Sequence, residues 1–370
     1  MLIRANNTIV IQATSLNLGV IHIMDNSIIL PLEDVIDFEA IFSSMYKCKK
    51  GVIWKDSVAA FYLNGIEESL KLSQELADNT YVEHPPKHFM ITSPKPREAV
   101  SIVFRDRVYQ RSMNDNIIYP LMSKQFIFDN FACQKNKGTD RARERLDEFL
   151  HCFYRKHKLD GFVLKCDIKG YYPNMQHRVA EKQFAKYLPP DAYMRTEKIL
   201  HTQYAGDIGY NPGSQLIQIA GISVLSPLDH FIKEKLRIKY YIRYMDDFIL
   251  IHESKEYLRE CQEKIQAFLA NDGFTLHPTK STINAIAKPI TFLGFTFKLT
   301  DTGKVIKTIS TEAVKRKRRK LRHMVAKVKR GEMSKDKVKI CYQGDRTYLA
   351  KGNSTKLIQR MDAYCNNLWR

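Results

Sequence analysis

Residues 240–253 read Tyr240-Tyr241-Ile242-Arg243-Tyr244-Met245-Asp246-Asp247-Phe248-Ile249-Leu250-Ile251-His252-Glu253. Two apolar arms, 240–244 and 248–252, carry aromatic and β-branched side chains on either side of Met245, Asp246 and Asp247, a pattern that predicts a β-hairpin with the acids at its turn. Unpaired carboxylates buried there would cost several kcal/mol, so they require compensation. A solvent-facing polar turn would provide it, and so would a divalent cation, because magnesium prefers carboxylate oxygens and keeps part of its water. A third carboxylate is available at Asp167, near the end of an apolar strand at 161–168, provided that the two segments lie side by side in one sheet.

Downstream of this hairpin an amphipathic helix is expected at 255–270, then a second hairpin turning at Asp301, Thr302 and Gly303. Upstream, 32–79 shows helical periodicity, with Phe38, Ile41, Phe42 and Met45 on one face and Leu63, Ile66, Leu70 and Leu76 on another. A short strand pair is expected at 89–92 and 100–104, its turn holding Pro94, Lys95, Pro96 and Arg97. The helix after Asp167 is expected to begin near Asn174, a residue suited to N-capping. Residues 1–30 read as short β-leaning pieces of no assignable purpose. From 311 to 330 the chain is densely basic: Lys315, Arg316, Lys317, Arg318, Arg319, Lys320 and Arg322 crowd into about two helical turns, which suits a solvated face or phosphate contact. Leu357, Ile358, Met361, Tyr364 and Leu368 then restore helical spacing. Strands and helices alternate in an α+β manner.

Composition narrows the partners. The 370 residues are 44% hydrophobic, enough for a substantial core in two or three lobes, and 59 Lys and Arg against 40 Asp and Glu leave a net charge of +19. That balance points to a polyanion, nucleic acid first, and argues against a basic substrate. Seven dispersed cysteines without a CxxC pair, and eleven histidines without HExxH spacing, offer no zinc site and fit a reducing cytosol. The apolar stretch 20–30 is interrupted by His22, Asp25 and Asn26, so neither a membrane span nor a signal peptide is expected and the reading is of a cytoplasmic protein.

Tyr244-Met245-Asp246-Asp247 between apolar strands resembles the signature of reverse transcriptases, and further motifs of that family follow in the family's order. Asp167-Ile168-Lys169-Gly170-Tyr171-Tyr172 resembles its first catalytic motif, an Asp with an aromatic residue five positions on. Leu276-His277-Pro278-Thr279-Lys280 resembles the lysine-bearing motif, and Phe292-Leu293-Gly294-Phe295 the primer-grip hairpin. Lys95 and Arg97 fall where the family holds the incoming triphosphate, and Asp106, Arg107 and Gln110 fit its following helix. The resemblance covers roughly residues 33–300, and the shared order of short motifs makes it specific. It implies an α+β right-hand polymerase fold: an N-terminal extension at 1–30, fingers at 31–160, a palm at 161–300 with an insertion near 180–215, and a short, basic, helical thumb at 301–370. It also implies an RNA-directed DNA polymerase in which Asp167, Asp246, Asp247 and the Ile168 backbone hold two Mg2+ ions, or Mn2+ in their place, with Lys280 assisting the chemistry.

Tyr172 bears on the product. In the family the aromatic residue at this place lies beneath the sugar of the incoming nucleotide and leaves no room for a 2′-hydroxyl. Related viral RNA polymerases have an acid there, which can accept a hydrogen bond from that hydroxyl. The competing reading makes Tyr172 a core aromatic. The stretch 209–218, with Gly213 and Gln218, resembles the family's template and nucleotide loop, but Asn211 and Gln215 stand where many relatives have proline. Glutamine near this loop is similar to diversity-generating retroelement enzymes and some defence-associated bacterial reverse transcriptases, which leaves fidelity and template choice open.

After Phe297 about 70 residues remain, with no HNH-like pattern, zinc-finger spacing or acidic nuclease cluster, so neither an integrated RNase H nor a full group II intron maturase is expected. The expected enzyme is a stand-alone bacterial one, similar to retron and defence-associated relatives, that extends a primer on an RNA template with dNTPs to give DNA. It would work with a structured noncoding RNA in antiphage defence, with an accessory protein or a second copy of the chain as a further partner and no membrane. Phe292, Leu293 and Gly294, with Lys315, Arg316, Arg318 and Arg319, would contact nucleic acid, and Lys95, Arg97, Tyr172, Gly213 and Gln218 the nucleotide. Three other readings keep parts of this: a mutagenic reverse transcriptase of a diversity-generating retroelement, a template-independent DNA polymerase, and a catalytically silent RNA-binding scaffold. The scaffold predicts a damaged site, yet Asp167, Asp246, Asp247, Lys280 and Tyr172 are all present.

Overall fold

The computed structural model describes residues 3–5, 8–10, 30–92 and 96–369. Helices and antiparallel strands alternate along the chain, the α+β arrangement that the sequence predicts. Two units form, each gathering three stretches of chain: Met1–Ile127 with Lys169–His230 and Leu269–Thr275, and Phe128–Ile168 with Phe231–Phe268 and Leu276–Arg370.

The second unit carries the acids. Its sheet has four antiparallel strands in the order Tyr240–Tyr244, Asp247–His252, Phe162–Asp167, Thr282–Ala285. The continuous apolar runs reflect burial on both faces: Leu164, Cys166, Ile242, Phe248, Ile249 and Leu250 are all withdrawn from solvent. Helix Thr139–His157 lays Ala142, Leu146, Phe149 and Phe153 in one core with Val163, Tyr240, Ile242 and Ile249, and each such large apolar side chain contributes roughly 1.5–3 kcal/mol by leaving water. Asp140 in its first turn and Arg155, Lys156 and His157 in its last complement the helix dipole. A second sheet joins Ile290–Phe292, Phe295–Leu299 and Val305–Ile309. Helices Thr311–Lys329, Lys335–Ala350 and Thr355–Asn367 follow, and their Leu321, Val325, Val338, Leu349 and Met361 extend the same core.

In the first unit, strands Ile3–Ala5 and Thr8–Val10 pair, and helices Phe38–Cys48, Asp56–Leu63 and Gly65–Ala77 occupy most of the segment read as helical. The expected strand pair is Lys87–Ile91 with Arg97–Ser101, so the second strand starts three residues earlier than the sequence suggests. Phe104 does not end that strand. It opens helix Phe104–Met113, where its ring packs edge-on against Phe61 at 5.2 Å. The helix after Asp167 is His177–Tyr187 rather than one beginning near Asn174. Asn174 closes a turn instead, donating from its backbone to Gly170 O at 2.9 Å and from Nδ2 to Lys169 O at 3.0 Å. Pro94, Lys95 and the apolar stretch 20–29 lie outside the described residues, as does the side chain of Arg97. Among the described residues no helix is long and apolar enough to cross a membrane.

Candidate active site

Tyr244 pairs with Asp247 across a two-residue turn of Met245 and Asp246, so Asp247 belongs to the returning strand and not to the turn. Met245 takes a φ of 57°, in the left-handed region that a side chain makes costly. Buried Arg243 steadies it, donating from Nη1 to Met245 O at 3.0 Å. Arg243 is itself pinned by backbone bonds of 3.0 Å to Asp129 O and from Phe131 N.

Asp167 lies in register with Asp247 on the neighbouring strand, the juxtaposition that the sequence required. The loop between Leu276 and Ser281 folds over the end of the Asp167 strand: His277 N donates to Asp167 O at 2.7 Å, and Lys280 Nζ sits 2.8 Å from Asp167 Oδ1. Ile168 is buried and bridges Leu276. Lys165, two residues before Asp167 and so on the same strand face, lies 3.4 Å from Asp247 Oδ2 and donates to Thr291 O at 2.9 Å. Burial pushes the Asp247 carboxyl up to about 6 against the pull of Lys165, and burial raises Asp246 as well. Asp247 Oδ1 is buried with no hydrogen-bond partner among the described residues.

Among the described residues no three histidine, cysteine or acidic side chains converge tightly enough to cage an ion by themselves. The carboxylates form an open set, which suits a hard cation that keeps its water and is completed by substrate phosphate. An orphaned, desolvated carboxylate oxygen at Asp247 fits such a cation, since buried polar atoms otherwise find partners.

The other residues that the sequence singles out, Tyr172, Gly213 and Gln218, belong to the first unit. The Gly213 loop presses on the strand that Arg97 opens: a Cβ on Gly213 would lie 2.6 Å from Val100 O, and Asn211 Nδ2 donates to Glu98 Oε2 at 3.2 Å. Ser214 caps helix Gln215–Val224 by accepting from Ile217 N at 3.2 Å, which leaves Gln215 and Gln218 exposed one turn apart. Tyr172 is half-buried and its backbone carbonyl accepts from Tyr210 N at 3.0 Å.

Residues 93–297 match the family described as reverse transcriptase (RNA-dependent DNA polymerase), more than half of the chain. The chain belongs to the reverse transcriptase family. No curated protein matches it. Among solved structures it is similar to telomerase from Candida albicans in complex with a TWJ fragment of telomeric RNA, at 12% identity and a TM-score of 0.48, over 64% of this chain and 49% of that one. It is also similar to telomerase from Candida tropicalis truncated from its C-terminal domain (14%, TM-score 0.45, 66% and 60%) and to apo telomerase from the same organism (13%, 0.45, 61% and 48%). The chain thus spans between about half and three fifths of the length of these structures.

In this reverse transcriptase the matched span ends on the hairpin at Phe292-Leu293-Gly294-Phe295. Leu293 and Gly294 both have positive φ, 47° and 82°, the conformation of a tight hairpin turn. Arg143 clamps it, donating from Nε and Nη2 to Leu293 O at 3.2 and 3.1 Å while its guanidinium lies 4.4 Å from the Phe295 ring centre. Of the basic residues beyond the match, Lys315, Arg316 and Arg319 are exposed. Lys317 and Arg318 turn inward: Lys317 pairs with Asp345, and Arg318 bonds Met361 Sδ at 3.4 Å and lies 5.2 Å from the Tyr364 ring centre. Sequence reasoning missed Lys165, Arg243 and Arg143. Only Lys165 left a signal, its strand-face alternation with Asp167.

Proposed function

We propose that this reverse transcriptase extends a primer on an RNA template to make DNA, and the observation that carries the reading is the in-register pairing of Asp167 with Asp247 beside the Asp246 turn. Two magnesium ions bound by Asp167, Asp246, Asp247 and the Ile168 carbonyl would supply activation of the primer hydroxyl and stabilisation of the departing pyrophosphate. Arg243 keeps the turn in its costly conformation, and Lys165 offsets the charge of Asp247. Lys95 and Arg97 are assigned to the triphosphate, Tyr172 to the sugar, and Gly213 and Gln218 to the nucleotide loop. The fingers are assigned to residues 31–160, the palm with its acid-bearing sheet to 161–300, and the thumb to 301–370, as the family resemblance implies. Primer extension on RNA with purified protein tests the reading: product that appears equally without template would replace it with template-independent synthesis.

Lys280 is assigned the proton that pyrophosphate takes up on leaving. Its side chain is exposed and its ammonium is held at Asp167 Oδ1. Lys280→Ala is expected to slow the chemical step about a hundredfold, with a smaller effect on nucleotide affinity. Single-turnover kinetics with an unchanged maximal rate would reduce Lys280 to a surface ion pair.

The exposed stripe Lys315, Arg316 and Arg319 supports binding to phosphates of primer and template or of a structured RNA. Neutralising these three should flatten the slope of log affinity against log salt by about 0.7–0.9 for each phosphate no longer engaged. Arg318→Gln, by contrast, should act on the stability of the helical region because its side chain is packed. An unchanged slope in the triple variant would leave the stripe a solvated face. For the biological setting we propose a cytoplasmic, bacterial, retroelement-derived system that works with a noncoding RNA in antiphage defence. The departures at Asn211 and Gln215 beside Gln218 favour, as the second reading, mutagenic copying in a diversity-generating retroelement. Sequencing the RNA that copurifies and the DNA made from it separates them, since defence predicts one dedicated RNA and mutagenesis a scattered error pattern in a variable repeat.

A further inference from the structure

Leu293 and Gly294 close their hairpin in two residues, and each gives its carbonyl to a partner outside it. Leu293 O accepts the two bonds from Arg143, and Gly294 O accepts from Ser310 N at 3.1 Å. Ser310 is the N-cap of helix Thr311–Lys329. A third contact comes from helix Lys335–Ala350. A Cβ on Gly294 would lie 2.7 Å from the hydroxyl oxygen of Tyr348, in the last turn of that helix, so the hydroxyl stands directly against the turn.

The place of the Tyr348 ring is set by groups other than the turn. Phe295 lies 5.2 Å away between ring centres, Lys317 Nζ is 4.3 Å from the ring centre, and the Arg143 guanidinium is 5.7 Å from it. Cations near an aromatic face are attracted to it. Lys317 also pairs with buried Asp345, three residues before Tyr348 and so on the same side of the helix. Asp140 accepts from Arg143 Nη1 at 2.6 Å and from Lys351 Nζ at 2.6 Å, which ties the end of the Tyr348 helix to the residue that clamps Leu293. Just beyond the helix, Asn353 N donates to Lys307 O at 2.6 Å and Lys307 N to Asn353 Oδ1 at 2.9 Å. Lys307 lies in strand Val305–Ile309, whose Ile309 pairs with Phe295 beside the turn. The helix end is therefore fastened to the sheet that carries the hairpin.

We infer that Tyr348 is a positioning residue for the primer terminus: its hydroxyl end bears on the Gly294 turn from one helix while Arg143 holds Leu293 O from another, and the two fix where the turn presents the primer's last nucleotide. This rests on the reading that the hairpin at 292–295 contacts the primer. Tolerance at such a place is small, since a misplacement of about 1 Å can cost on the order of a hundredfold in rate. The ring also joins the turn to Lys317, whose helix carries the exposed stripe Lys315, Arg316 and Arg319.

The test is single-turnover addition of one deoxynucleotide to a primer on RNA, with the active enzyme titrated from burst amplitude so that unfolded protein drops out. Tyr348→Ala is expected to lower the maximal rate by about tenfold to a hundredfold, while the half-saturating nucleotide concentration changes by less than about twofold. A purely structural tyrosine would reduce the active fraction and leave that rate alone. Gly294→Ala is expected to slow the same step, both through its positive φ and because its methyl meets the Tyr348 hydroxyl. Tyr348→Phe in the Gly294→Ala background removes the oxygen that the methyl meets, and should recover at least about threefold of the loss, leaving the part due to backbone strain. A full maximal rate in Tyr348→Ala, or a Gly294→Ala defect that Tyr348→Phe leaves untouched, overturns the inference. If Gly294→Ala slows the step while Tyr348→Ala does not, the primer reading of the hairpin survives and the assignment of Tyr348 falls. If neither slows it, both fall.

Discussion

DNA synthesis is expected to fall by a factor on the order of 10⁴ or more when Asp246 and Asp247 are both replaced by asparagine, while the protein stays folded. An amide is neutral and binds a hard cation weakly, so the double variant retains the hairpin but loses the charge that would hold two ions close together. Folding should not suffer, because the ionised carboxyls are already disfavoured where they stand. Burial raises Asp247 from 3.8 to about 6 and raises Asp246 too. Below the lower of those values the Asp247 carboxyl is protonated whether the chain is folded or not. As pH rises through about 6 the folded protein must release a proton that it holds more tightly than the unfolded chain does, and stability is lost. Above that pH the penalty is complete, on the order of 1–2 kcal/mol once the neighbouring Lys165 and partial exposure are allowed for. Asp247→Asn removes it, so the variant should melt at or above the wild-type temperature at pH 7.5 and lose that advantage near pH 4. Saturating magnesium should raise the melting temperature of the wild type only, since a ligand stabilises the state that binds it. Wild-type synthesis in the variant, or an equal magnesium effect in both proteins, would remove these carboxylates from the metal site.

The hairpin at 240–252 was legible because its apolar arms are long and its acids have no apolar explanation. The strand before Asp167 and the helix Lys255–Ala270 were legible for the same reason, a strong local period. Where local signals compete, the sequence misleads. Asn174 is a good cap in isolation, yet its side chain is used on Lys169 O, and the helix starts three residues later behind Gln176. Residues 100–104 look like one apolar strand, but Phe104 finds Phe61 and turns the chain into a helix. Charged residues hide most completely. Arg243 and Arg143 look like interruptions of an apolar or amphipathic pattern, and only the tertiary register shows that each is a buried donor to the carbonyl of a turn residue with positive φ, Met245 and Leu293. Seven basic residues in one run say nothing about which face of the helix packs, and so Arg318 could not be separated from Arg319.

Replacing Tyr172 with Ala or Val should let ribonucleotides enter, lowering discrimination against them by about tenfold to a thousandfold. The argument is steric. A ring beneath the sugar excludes a 2′-hydroxyl by a clash, and relief of such a clash is commonly a matter of a few kcal/mol, whereas the carboxylates that would hold the metal ions are untouched. Total deoxynucleotide incorporation should therefore fall less than the ratio changes. The side chain's setting supports this over a purely structural role. Tyr171 is the buried member of the pair, hydrogen-bonded to Gly221 O, while Tyr172 is half-exposed. Were Tyr172 a core residue instead, truncation would cost about 3 kcal/mol or more of stability and both nucleotide classes would lose activity together. Incorporation efficiency for one matched pair of deoxy- and ribonucleotides, read beside a thermal melt, distinguishes the two. A fixed ratio with a lowered melting temperature would make Tyr172 structural, and the case for a DNA product would then rest on membership of the family without a residue in this chain that enforces it.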